Sequence, residues 1–272
     1  MKKLIAILTV MLLLCSCSAQ KDGTASTPIT DYPASAFDIT LEKCPQKVIS
    51  LSPEVTDIIF ALGSEAQLVG VSDNCVTEKE LNRYGTSAIP NLEEIKKARP
   101  DLVFVSDYTY SDDIKVLQDA KIKVAKVKSA SQYVELGSIY NQVAVLISGE
   151  ITGTRNASNT FNNIDSSIKT AANSNSKKVK AAFFVDDSNT LETGSVSAEL
   201  VKLAGVTNLI SGTDSKIISA KPDLIFCPVG SVETFSARFG EIKTVEFDTS
   251  LIDRRGVGMA DCVAQIISIL EE

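Results

Sequence analysis

From Lys47 to Leu51 the apolar positions run together, and after Ser52-Pro53 they recur at helical spacing, at Val55, Ile58, Ile59 and Leu62, before Gly63. The change of period predicts strand, turn and helix. Ser52 is placed to cap that helix, Pro53 suits its first position, and Gly63 ends it. Leu68 to Val71 reads as a second strand, and Leu92 to Ala98 as a short helix broken by Pro100. A third strand follows over Asp101 to Val105, then a helix from Asp112 to Ala120 and a strand near Val124. The second half repeats the plan, with strands over Val179 to Val185, Leu224 to Cys227 and Thr244 to Phe247. Helices are expected there over Ala198 to Ala204 and Gly258 to Leu270. Pro100-Asp101-Leu102-Val103-Phe104 recurs as Pro222-Asp223-Leu224-Ile225-Phe226, each after a short helix, as expected of two lobes built alike. Alternating helices and continuous apolar strands imply parallel sheets covered on both faces.

Between the halves, Tyr133 to Ile147 reads as helical, and Ile151, Thr154, Ala157, Phe161, Ile164, Ile168 and Ala171 step by three or four. An unbroken helix over residues 150–172 would be about 34 Å long, enough to reach from one lobe to the other as a stiff connection. The fold class expected is therefore α/β, with two lobes, each a parallel sheet covered by helices, bridged by one long α-helix.

The start of the chain adds an address. Lys2 and Lys3 precede an apolar run from Leu4 to Leu14, the pattern of an export signal. The run is shorter than the roughly 20 residues of a membrane-spanning helix. Leu14-Cys15-Ser16-Cys17 resembles the bacterial lipobox, which implies cleavage before Cys17 and a lipid on it; a cut after Ala19 is the rival. Residues 18–35 are rich in Ser, Thr, Ala, Asp and Pro and read as a tether. The expected organisation is a signal at 1–16, a tether at 17–35, an N-terminal lobe at 36–130, an inter-lobe helical segment at 131–176 and a C-terminal lobe at 177–272. The product would be a monomer anchored by lipid at the outer face of the cell membrane.

Charge and composition remove several functions. Without Lys2 and Lys3 the chain carries 25 Lys and Arg against 34 Asp and Glu, a net charge of −9, which argues against nucleic acid. There is no histidine, so neither a Ser-His-Asp nor a Cys-His pair can be assembled, and no G-x-S-x-G or phosphate loop occurs. Asp186-Asp187 ends a strand and can hold a metal, act as acid and base, or simply cap a loop. Cys44 and Cys75 are expected to lie too far apart to bridge, whereas Cys227 and Cys262 can either pair or stay free. No catalytic residue, metal site or cofactor is expected. A lipid-anchored hydrolase and a sensor or adhesin without a transporter are the other classes compatible with export.

Lys47-Val48-Ile49-Ser50-Leu51-Ser52-Pro53, running into Thr56-Asp57-Ile58-Ile59-Phe60-Ala61-Leu62-Gly63, is similar to a known family. Leu68-Val69-Gly70-Val71 and Asn91-Leu92-Glu93, seven residues before Pro100-Asp101-Leu102-Val103, extend the resemblance. The family is the class III solute-binding proteins of ABC importers, which serve cobalamin, haem and ferric siderophores. The resemblance implies a small-molecule ligand and an importer permease as partners, with a corrinoid favoured by the Ser-Leu-Ser-Pro opening and a ferric siderophore or haem as the alternative. It departs in having no tryptophan for stacking on a corrin. The family's histidine-dependent manganese and zinc receptors are excluded, and haem would need a Tyr or Met ligand. The cleft is expected to present Ser52, Pro53, Asp187, the stacking groups Tyr108 and Tyr110, and Arg254 and Arg255 as forks for an anion. Docking on the permease by one glutamate per lobe maps to Glu93. In the second lobe the equivalent position is Ser215, beside the acid Asp214.

Overall fold

The computed structural model describes residues 30–272, so the signal segment, Cys17 and the expected tether up to residue 29 lie outside the described residues. Residues 31–35, expected within the tether, are instead held by the fold. Asp31 accepts from the N–H groups of Ile151 and Thr152 at 3.1 and 2.8 Å, and Tyr32 donates to the Leu146 carbonyl. Beyond them β1 (Ala34–Ala36) and β2 (Ile39–Leu41) form a small antiparallel hairpin.

The N-terminal lobe contains β3 (Val48–Ser50), α1 (Pro53–Ala61), β4 (Leu68–Val71), β5 (Asn82–Arg83), α2 (Leu92–Ala98), β6 (Leu102–Ser106), α3 (Ser111–Asp119) and β7 (Lys123–Val127). Its five strands are all parallel, in the order β5-β4-β3-β6-β7. After a 3₁₀ turn at Tyr133–Glu135 come α4 (Leu136–Ser148) and α5 (Glu150–Ser174). The C-terminal lobe contains β8 (Val179–Phe183), α6 (Val196–Leu203), β9 (Val206–Ile210), α7 (Asp214–Ala220), β10 (Leu224–Pro228), α8 (Val232–Phe239), β11 (Lys243–Phe247) and α9 (Gly258–Glu271). Its four strands are parallel, in the order β11-β10-β8-β9.

Strand alternation divides the core. Leu102 and Phe104 face the large cluster shared with α4 and α5, while Val103 and Val105 face the smaller cluster formed with Ile95 and Leu117. In the second lobe Ala181 and Phe183 face the shared cluster, and Ala182 and Phe184 pack with Phe235 and Phe239. The recurring Pro-Asp dipeptide has one physical role in both lobes. The Asp101 carboxylate accepts from the N–H groups of Gln46 and Lys47 at 2.7 and 2.9 Å, and Asp223 accepts from that of Lys180 at 2.7 Å. Each aspartate fixes the start of its own strand against the lobe's first strand.

Helix α5 bridges the lobes and is about 37 Å long at 1.5 Å per residue over its 25 residues. Its buried face is Gly153, Ala157, Ile164 and Ile168; Ile151 and Thr154, expected on that face, are exposed. The contact begins at a glycine because a Cβ on Gly153 would stand 2.3 Å from the Ala144 carbonyl oxygen, so α4 and α5 meet backbone to backbone. Strand β9 and helix α8 are additions to the expected plan. The former is an edge strand with Thr207 and Asn208 exposed, and the latter buries only Phe235 and Phe239.

A second connection joins the lobes. Asp57 on α1, buried with 6% of its side chain exposed, receives Arg254 Nε at 2.9 Å, Arg254 Nη2 at 2.8 Å and the Arg255 N–H at 2.8 Å. Tyr140 of α4 donates to the Arg255 carbonyl at 2.7 Å. Gly256 allows the approach, since a Cβ there would lie 2.8 Å from the Asp57 carbonyl oxygen. Truncating one member of such a pair strands the other's charge, at a cost of about 3–5 kcal/mol when both are buried. Arg254 keeps 26% exposure, so Asp57→Ala should cost about 3 kcal/mol, the low end of that range. Calorimetry should show a midpoint about 6–12 °C lower. The double variant with Arg254→Ala should lose less than the sum of the two single changes.

Candidate functional site

Three strands of the N-terminal sheet end on or next to serine, β3 at Ser50 with Ser52 beyond it, β4 before Ser72 and β6 at Ser106, and β7 ends two residues before Ser129. Parallel sheets bind ligands beyond these carboxyl ends. A cavity of about 660 Å³ opens there, lined on the N-terminal side by Ser52, Glu54, Ser106 and Tyr108 among others, and on the C-terminal side by Asp253 and Arg255. Pro53, Asn74, the turn at Thr86–Ala88, and Ser129 with Ala130 complete the wall.

Local sequence explains each position. Ser52 leaves β3 in an extended conformation and accepts from the Val55 N–H at 3.3 Å as the cap of α1, so residues 52–54 present the first turn of a helix to the cavity. Behind them lies a buried network in which Thr56 Oγ1 donates to Ser50 Oγ at 2.9 Å and lies 3.1 Å from Cys75 Sγ, which is 3.2 Å from Ser72 Oγ. Ser72 lies 3.4 Å from Ser87 Oγ, and Thr109 donates to the Ser87 carbonyl at 2.7 Å. This network ties the loops after β4, β5 and β6 to the floor. Satisfied polar networks of this kind hold a site in one geometry.

Glu54 is 8% exposed and, among the described residues, accepts from the Ala130 N–H alone, at 3.3–3.4 Å. Burial pushes its carboxyl above the ordinary glutamate range; Arg255 and the Ala130 N–H oppose the shift, and Asp107 and Asp57 add to it. Ser106 is 2% exposed, and its hydroxyl has no hydrogen-bond partner among the described residues.

The structure brings Ser52, Pro53, Tyr108 and Arg255 to this cavity, as the sequence led one to expect, and leaves the other expected residues off its wall. Tyr110 is the extended residue before α3 and is 66% exposed. Arg254 turns to Asp57, because the inter-lobe ion pair captures its fork. Arg255 is likewise engaged, donating to the Ile252 and Arg254 carbonyls and to Ser197 Oγ. Asp187 accepts from Ser231 and Arg238 in the C-terminal lobe. Asp186 accepts from the Ser188 and Asn189 N–H groups and the Asn189 side chain, a loop cap and no acid–base pair. Glu93 lies in the first turn of α2 with its side chain 73% exposed, paired to Lys96 of the same helix. Asp214 begins α7 and is gripped through both carboxylate oxygens by Arg238, whose guanidinium also lies 5.0 Å from the centroids of Phe184 and Phe239. All four cysteines among the described residues are free.

Glu54, Ser106, Asn74, Ser129 and Asp253 are site residues that the sequence reading passed over. The serines were readable as the residues ending successive strands. Asp253 carried no signal, because it arrives from the other lobe.

Comparison with known proteins supplies the context. A family model described as periplasmic binding protein matches residues 48–229. An uncharacterised ABC transporter substrate-binding lipoprotein of Bacillus subtilis is 28% identical, the match covering 96% of this chain and 94% of that protein. A cobalamin-binding protein of Halobacterium salinarum is 26% identical over 50% of this chain and 37% of its own length. The solved structure of a periplasmic haem-binding protein of Vibrio cholerae shares the fold, with a TM-score of 0.70 at 19% identity over 84% of this chain and 99% of that one.

Glu54 gives the site a measurable signature. A carboxyl whose folded pKa is raised makes its full contribution to stability below the unfolded value, about 4.3, and that contribution is lost as pH rises through this value to the folded one. Glu54→Gln should therefore be more stable than the parent at pH 7. Urea titrations should show the advantage shrinking as the pH is taken down to 4.

Proposed function

The chain belongs to the periplasmic binding protein family, and from that premise we propose that it captures a corrinoid in the cavity between its lobes and delivers it to an ABC importer. Ferric siderophores and haem are the competing ligands. The observation that carries the reading is the chemistry of the wall. Hydroxyls and an amide line it with Glu54, while the one cation on it among the described residues, Arg255, already donates to protein acceptors. Such a surface suits a large neutral ligand decorated with hydrogen-bonding groups, and it offers haem no histidine. A whole corrinoid exceeds the cavity, so its ring would stand partly in the open mouth, where Tyr108 is 72% exposed and free to stack. The 26% identity to a cobalamin-binding protein supports the same ligand. In a thermal-shift series with cyanocobalamin, a ferric siderophore and haem, the corrinoid at 100 times its dissociation constant should stabilise by about 2.7 kcal/mol, or about 5–10 °C. A shift with haem or siderophore alone would reassign the ligand.

Two further assignments belong to this reading. Cys17 carries the lipid, supported by the lipobox-like sequence and the similarity to a lipoprotein. Glu93 is the docking acid of the N-terminal lobe: it is exposed, and its one ion pair is to a neighbour on its own helix, a contact worth a few tenths of a kcal/mol that a permease arginine can displace. Asp214 is a poorer docking group, because Arg238 already neutralises it. In cells, Glu93→Ala should lower uptake with affinity for the purified protein unchanged, and more so than Asp214→Ala. In the same strains Cys17→Ala should release the protein from the membrane fraction. Full uptake in both acid variants removes their docking role, and continued lipid labelling of Cys17→Ala removes that assignment.

A further inference from the structure

On the cavity wall one buried hydroxyl lacks a hydrogen-bond partner among the described residues, and a buried carboxylate is thinly partnered. A carboxylate has about four acceptor sites. Glu54, almost wholly buried, uses them on one long contact to the Ala130 N–H. Ser106, at the end of the neighbouring strand, has no partner for its hydroxyl among the described residues. Buried polar atoms in folded proteins are nearly always paired, so an unpaired hydroxyl on the same wall as a carboxylate held by one long contact points to a group supplied from outside.

The surroundings define that group. Besides Glu54, the wall carries the carboxylate of Asp253. The one cation lining it among the described residues, Arg255, donates through Nη1 to the Ile252 and Arg254 carbonyls and through Nη2 to Ser197, with Asp253 at 3.6 Å. A carboxylate brought to Glu54 would meet a like charge, and the nearby cation, Arg255, is already shared among protein acceptors and Asp253. A group that donates N–H would satisfy Glu54 and could be received by the Ser106 oxygen as well.

Resting on the corrinoid reading, we propose that Glu54 and Ser106 form an acceptor floor that receives neutral carboxamide groups of the ligand and excludes ligands presenting carboxylates there. Corrinoids carry carboxamide arms around the ring, whereas haem presents propionates. The floor thus selects by the charge of the ligand's periphery, independently of any metal at its centre.

The test is a set of affinity titrations with cyanocobalamin, cyanocobalamin whose peripheral amides have been hydrolysed to acids, a neutral ferric trihydroxamate bearing amide N–H groups, and haem. The parent protein should bind intact cyanocobalamin at least about tenfold more tightly than the hydrolysed form, the scale of one hydrogen bond to a charged group. Glu54→Gln, which can donate as well as accept, should close most of that gap by regaining the hydrolysed ligand. Ser106→Ala, which leaves the charge in place, should weaken the intact ligand several-fold. Unchanged thermal midpoints for Ser106→Ala guard against a folding artefact. Equal affinity of the parent for both corrinoids would overturn the acceptor floor and leave the corrinoid receptor standing. Binding of the trihydroxamate instead, with the same loss of charge selection in Glu54→Gln, would overturn the corrinoid reading and uphold the floor. Preference for haem over every neutral probe, or no binding of any neutral probe, would overturn both.

Discussion

The geometry of the cleft depends on one ion pair. Asp57 projects from the helix that begins the cavity floor, and it is met by the Arg254 side chain and the Arg255 N–H from the opposite lobe. The contact adds a second tie between lobes that α5 already bridges. With it, the segment 253–255 is pinned across the cleft, and Asp253 and Arg255 become part of the wall. The pairing commits the Arg254 fork to an internal carboxylate, so of the two consecutive arginines only Arg255 lines the cavity. Desolvating a guanidinium is costly, and the fold offsets the cost with an internal carboxylate and carbonyls.

The expense of the site is visible in the same helix. Ser52, Glu54 and Asp57 occupy its first two turns. The first caps it, the third locks the lobes, and the middle residue holds a carboxylate where burial disfavours the charge. A glutamine there would suit folding better. Functional positions are commonly those where stability is given up, and here a buried carboxylate faces an open cavity.

Much of the fold is legible from the residues. The strands of both sheets, apart from β5 and β9, follow from short apolar runs, and the Pro-Asp echo correctly announced two lobes, because Asp101 and Asp223 do the same work. The long helix was placed to within a few residues. Its buried face was misread at the start, since periodicity counts apolar side chains and Gly153 packs through its lack of one. Residues 31–35 were expected in the tether, because composition cannot show that Asp31 is held by the distant residues Ile151 and Thr152. The site was legible only where local rules reach it. Ser52, Pro53 and Tyr108 follow strand ends within one lobe, whereas the fates of Arg254, Asp187 and Asp214 were decided by partners 24 to 197 positions away. Glu54 was hidden in plain view, as an acid in a first helical turn, a place where acids are ordinary.

The hold of Asp31 on the start of α5 has a mechanical consequence. Its carboxylate takes two helix N–H groups and the Thr152 hydroxyl, and its carbonyl takes the Glu150 N–H. Any tension arriving along the chain from its N-terminal side is therefore delivered to the strut that both lobes share.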